Sequence, residues 1–115
     1  NIFRYRPISR VLVVVGVDAT GPEVALVRDA TDIVGVQRIE RSVHDPVPDL
    51  ARLGVHRVRF IGGAPPSALL EAAATAGVHV ADQPVIEDGR IELLHYVREQ
   101  AVSRSRHRFG NLLPS

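Results

Sequence analysis

Ser67-Ala68-Leu69-Leu70-Glu71-Ala72-Ala73-Ala74-Thr75-Ala76-Gly77-Val78-His79-Val80-Ala81 decides the fold. Its first ten residues are rich in strong helix formers, Gly77 stands where a left-handed residue ends a helix, and Val78 to Ala81 reads as a strand. The same order of helix, glycine, valine and strand occurs twice before it. A helix from Glu23 closes at Gly35 and leads into a strand at Val36 to Ile39. A short helix from Asp49 to Leu53 closes at Gly54 and leads into a strand at Arg57 to Ile61. A left-handed glycine feeding directly into a strand is how a doubly wound α/β domain turns its corners.

Upstream, Arg10 to Val17 is a near-continuous apolar run, as expected of a strand buried on both faces. Thr20-Gly21-Pro22-Glu23 after it supplies a helix cap and a proline in the first turn. Residues 10–86 therefore predict a small, doubly wound, mostly parallel Rossmann-like sheet of four or five strands. Residues 1–9 read as a linker, 87–105 as a C-terminal arm and 106–115 as a tail. Within the arm, Ile91 to Gln100 predicts an amphipathic helix with Ile91, Leu94 and Val97 on one face, and Ala101 to Ser105 an exposed strand.

Composition narrows the function classes. The chain has 115 residues, enough for one core, and 45% of them are hydrophobic. Without cysteine there is no disulfide framework, no thiolate nucleophile and no cysteine-ligated zinc. All 14 basic residues are arginine, yet the net charge is only +1, so no global field calls for a nucleic-acid partner. The longest apolar run is too short to span a membrane, and a cytoplasmic setting is the default. The chain has no methionine and opens on Asn1-Ile2-Phe3, so it is expected to be a segment of something longer.

Candidate chemistry is sparse. Gly16-Val17-Asp18-Ala19-Thr20-Gly21 lacks the glycine spacing of a dinucleotide loop, and Pro22 removes a donor. Gly62 and Gly63, in Ile61-Gly62-Gly63-Ala64-Pro65-Pro66, form the better phosphate-loop candidate, although a tight turn also needs glycine and the prolines lack N–H groups. The five histidines His44, His56, His79, His95 and His107 are scattered, with no metal-ligand spacing. Asp82, Glu87 and Asp88 fit caps and turns, and Ser103 and Ser105 lack a neighbouring base. The basic stretch Arg98, Arg104, Arg106, His107, Arg108 reads as a charged strand edge or a subunit contact rather than a nucleic-acid site. No complete catalytic constellation is present.

Both ends of the chain resemble a known family. Asn1-Ile2-Phe3-Arg4-Tyr5-Arg6-Pro7, running into Arg10-Val11-Leu12, is similar to the stretch that follows the catalytic core in bifunctional proline-utilisation enzymes. Gly89-Arg90-Ile91-Glu92-Leu93-Leu94-His95-Tyr96-Val97-Arg98-Glu99-Gln100-Ala101-Val102-Ser103 resembles the family's closing helix and strand, and Gly110-Asn111 its terminal Gly-Asn. Arg106-His107-Arg108-Phe109 departs from the Thr/Ala-rich run common there.

The resemblance implies a degenerate aldehyde-dehydrogenase-superfamily domain. Its parent would join a flavin-dependent proline dehydrogenase to an NAD-dependent L-glutamate-γ-semialdehyde dehydrogenase, with NAD and FAD held upstream and no cofactor in this segment. The implied role is non-catalytic: covering the semialdehyde dehydrogenase site, sealing its channel and supporting homo-oligomerisation. The implied partners are the upstream catalytic domains of the same polypeptide. Tyr96 and Arg98 on the arm and His107, Arg108 and Asn111 on the tail are the expected contact residues. The alternative is a free-standing nucleotide- or phosphate-binding module built on Gly62 and Gly63.

Overall fold

The computed structural model describes residues 2–102, with side-chain surroundings given for Pro7 to Val97. At its centre is β2 (Arg10–Val15), and period-two alternation splits its apolar run between two layers. Val11 and Val13 face one core with Val27 and Ala30 of α1 (Gly21–Val34), while Leu12 and Val14 face a second with Leu50, Leu69 and Ala73. That double burial is what the unbroken apolar run requires.

Around β2 lie β3 (Gln37–Ser42), β4 (Arg57–Ile61) and β5 (His79–Ala81) in the order β3-β2-β4-β5, all parallel. The second layer carries the short α2 (Leu50–Leu53) and α3 (Ser67–Ala76). The fold is thus a small Rossmann-like α/β domain with helices on both faces of a four-stranded parallel sheet. The three corner glycines adopt left-handed backbone, with φ of 85° at Gly35, 68° at Gly54 and 69° at Gly77. At the start of α1, Thr20 and Glu23 form a reciprocal capping box.

Several boundaries differ from the sequence reading, among them the strand expected from Val78, which starts at His79, and the helix expected from Glu23, which starts at Gly21. The first strand stops at Val15, because Gly16 already turns the chain, and Val17 is exposed. The strand expected at Val36 to Ile39 starts one residue later and runs to Ser42. Residues 2–7, read as linker, form a strand, β1 (Ile2–Pro7). The helix expected from Ile91 to Gln100 is only α4 (Gly89–Leu93), followed by a 3-10 turn at Leu94–Tyr96 and then β6 (Val97–Val102).

The reason for the last two is pairing. β1 and β6 make an antiparallel two-stranded ribbon, registered from Pro7 opposite Val97 to Ile2 opposite Val102. The Ile8 N–H donates to the Tyr96 carbonyl at 3.0 Å at its base. A helix through Gln100 would forfeit that ladder. The expected apolar face is also reversed: Ile91 and Leu94 are 44% and 56% exposed, while Glu92 and Tyr96 are buried.

Candidate functional site: the closed switch point and the anchored ribbon

In an open parallel sheet, ligands bind beyond the carboxyl ends of the strands where the winding reverses. Here that point lies between β2 and β4, flanked by the loops 16–20 and 62–66. The two loops are packed against each other, backbone to backbone. The Gly16 N–H donates to the Ile61 carbonyl at 2.7 Å, and the Asp18 N–H to the Gly62 carbonyl at 3.1 Å. A Cβ placed on Gly62 would lie 2.2 Å from the Ala19 nitrogen, and one on Gly16 would lie 2.3 Å from the Gly62 oxygen. These glycines are therefore spent on bringing two backbones together.

The two candidate phosphate-loop residues sit in this contact. Gly62 has φ of 85° and Gly63 of 120°, and the Asp18 carboxylate lies 3.4 Å from where a Gly63 Cβ would be. An acidic group beside the loop, with Pro65 and Pro66 following it, opposes an anion. The arrangement fits a βα turn, not a phosphate cradle. A mostly apolar cleft lies at the ends of β2 and β3, lined by Val14, Val43, Pro46, Pro48, Pro66 and Leu69 together with Arg41, Ser42 and Asp45. Among the described residues, no group of His, Asp and Glu could hold a metal ion.

The concentrated polar chemistry lies on the opposite half of the sheet. Arg59, in the middle of β4, is fully buried and faces α4. Its Nε donates to Glu92 Oε2 at 2.8 Å, and its Nη2 to Glu92 Oε1 at 3.0 Å, a bidentate fork. Its Nη1 donates to the Ala81 carbonyl at 3.0 Å. The Tyr96 hydroxyl donates to Glu92 Oε2 at 2.5 Å from one helical turn away. Burial pushes the Tyr96 hydroxyl well above its ordinary pKa, and its hydrogen bond to Glu92 adds to the shift, so it stays protonated and a donor.

Next to this network, Arg57 donates to the His95 carbonyl at 2.5 Å. Burial, helped by the Arg59 charge, holds the His95 imidazole below its ordinary pKa and neutral at pH 7. Every polar atom of the buried trio is turned inward. Its chemistry is mechanical: two strand arginines hold the turn that carries β6, and so hold the base of the ribbon. A lone two-stranded ribbon is marginal in water, so such an anchor is what keeps it in place.

Of the expected contact residues, Tyr96 is 0% exposed and its hydroxyl is engaged within the chain. Arg98 lies in β6, opposite Arg6 in the ribbon. His107, Arg108 and Asn111 lie outside the described residues. The sequence reading missed Arg59 and Glu92 altogether. Their signal was an arginine in mid-strand of a sheet covered on both faces, which requires a buried counter-charge. Glu92 and Tyr96, four residues apart, supply it from one face of the turn.

No protein-family model and no curated protein matches the chain. Among solved structures, it is similar to Proline Utilization A (PutA) from Corynebacterium freiburgense, at 40% sequence identity over 96% of the chain, with a TM-score of 0.66. The chain is related to a segment of PutA. It spans 11% of the length of that PutA chain. The likeness to PutA extends well beyond the two end motifs and takes in the sheet between them. No helix among the described residues is long and apolar enough to cross a membrane.

Proposed function

We propose that this chain is a non-catalytic C-terminal structural and interaction domain of a bifunctional proline-oxidising enzyme. In that enzyme it covers the semialdehyde dehydrogenase site, helps to retain the intermediate in its channel and supports oligomerisation, in a cytoplasmic setting. The observation that carries the reading is the anchored ribbon. The buried charge of the domain is used to hold β6 beside β1, and two-stranded ribbons with open edges are elements that other chains augment.

The likeness to PutA supports proline oxidation as the parent activity. The residues present do not fit a dinucleotide. The switch-point loops contact each other directly, and Asp18 stands beside Gly63 where a pyrophosphate would need donors. The NAD and FAD of such an enzyme are therefore assigned to the upstream catalytic domains, and no catalytic step is routed through this segment.

The test is removal of residues 97–115 from the full-length polypeptide, with both half-reactions followed. Proline oxidation, read by dye reduction, is expected to persist. Proline-driven NADH formation is expected to fall by about a hundredfold, the usual effect of a small misplacement at a remote catalytic site. Retention of both activities with unchanged oligomeric state would overturn the proposal.

A further inference from the structure

His95 sits where the ribbon is tied to the sheet. Its carbonyl accepts from Arg57 Nη1 at 2.5 Å, and the next carbonyl, that of Tyr96, accepts from the Ile8 N–H at 3.0 Å. Its imidazole is half-buried and stands edge-on to the Tyr96 ring, with the ring centroids 6.3 Å apart.

The charges that act on this imidazole are nearly all of one sign. Arg57 and Arg59, two residues apart, present the same face of β4 to the turn. His79 of β5 stands directly opposite Arg57 in the sheet. Among the described residues, Glu92 of α4 is the acid that acts on the ring, and both its oxygens are engaged by the Arg59 fork and the Tyr96 hydroxyl. α1, packed against the same turn, adds no charge to this set. Beyond Val97 the side chains of β6 lie outside the described residues. Arg57 itself lacks a carboxylate: its Nε is buried without a hydrogen-bond partner among the described residues, and burial holds the guanidinium below its ordinary pKa. Like charges repel more strongly in such a partly desolvated place than in water.

We infer that the Leu94–Tyr96 turn is an acid-sensitive clamp: a proton on His95 sets an imidazolium against the Arg57 guanidinium, loosens its hold on the His95 carbonyl and frees the base of the β1–β6 ribbon. The inference rests on the anchoring role given to this turn above. Burial keeps the imidazole below its ordinary pKa of 6.5, and the charges of Arg59, Arg57 and His79 lower it further against the opposing pull of Glu92. The clamp is therefore at full strength above pH 6.5, and its contribution is lost as pH falls from there through the lowered value.

Hydrogen exchange in the full-length polypeptide at about pH 7.5 and about pH 5.5, corrected for intrinsic exchange rates, tests the clamp. One proton changes an opening equilibrium by at most about tenfold per pH unit. Amides of β1 and β6 are expected to open about three- to tenfold more often at the lower pH, with those of β2 and β4 unchanged. His95→Gln is expected to abolish that difference. Arg57→Gln removes the guanidinium that an imidazolium would repel, so it is expected to loosen the ribbon at both pH values and to narrow the difference. His79→Gln is expected to retain it. No difference in the parent protein, a full difference in His95→Gln or Arg57→Gln, or its loss in His79→Gln overturns the inference. Those results would leave the domain's proposed role in its parent enzyme untouched, since the 97–115 deletion tests that separately.

Discussion

Glu92→Ala lowers the stability of the domain by about 3–5 kcal/mol, the cost expected when one partner of a buried ion pair is removed and the other stays behind. The Arg59 and Glu92 side chains are 0% and 2% exposed, so solvent does not screen the loss. Two consequences add together. The Arg59 guanidinium loses both arms of its fork, and the Tyr96 hydroxyl loses its acceptor. Against a typical domain stability of about 5–15 kcal/mol, the change removes a large share of the total. The paired substitution Arg59→Met with Glu92→Leu removes both charges and is expected to lie within about 1 kcal/mol of the parent protein or above it. Urea unfolding of the three proteins checks both statements. A Glu92→Ala midpoint equal to that of the parent would mean that Arg59 finds water, contrary to the burial described above.

The second large effect belongs to the switch point. Gly62→Ala destabilises through two causes: left-handed backbone, at about 1–2 kcal/mol, and overpacking, at about 1–3 kcal/mol. The added methyl would meet the Ala19 nitrogen at 2.2 Å and its Cα at 2.6 Å, and backbone atoms cannot rotate away. Gly35→Ala separates the two causes. Gly35 has a φ of 85°, like Gly62, but nothing lies within 4 Å of its added Cβ. It is expected to show the backbone cost alone. The difference between the two midpoints in urea then measures the loop contact. Equal midpoints would mean that the loops are free to part, and the crevice between β2 and β4 would be open to a ligand after all.

Most of the sheet was legible because its signals are local. Gly35, Gly54 and Gly77 each end a helix by backbone geometry alone, with a strand starting two or three residues on. Thr20 and Glu23 announce their cap at fixed spacing. The unbroken run in β2 states that both its faces are covered.

What was not legible depends on contacts far apart in the chain. The end of α4 is set by β1, some ninety residues upstream, which draws Val97 to Gln100 into a ribbon. Helical periodicity in Ile91, Leu94 and Val97 cannot reveal that competitor. The burial of Glu92 is set by Arg59 at a sequence separation of 33. A charged residue normally marks the solvent face of a short helix, so the apolar face expected at Ile91 and Leu94 gives no sign that Glu92 is the buried residue. The burial of the Tyr96 hydroxyl follows from the same acceptor, Glu92.

The coupling between the buried trio and the ribbon is tested most directly by hydrogen exchange on the Tyr96→Phe protein. Only the hydroxyl is removed, and a hydrogen bond to a charged group is worth about 1.5–3 kcal/mol. Backbone amides in β1 and β6 are then expected to exchange about 10–100-fold faster, with those of β2 and β4 unchanged. Faster exchange confined to the ribbon would establish that the Arg59–Glu92–Tyr96 network holds it. Unchanged exchange in the ribbon, or equal acceleration across the sheet, would contradict that role.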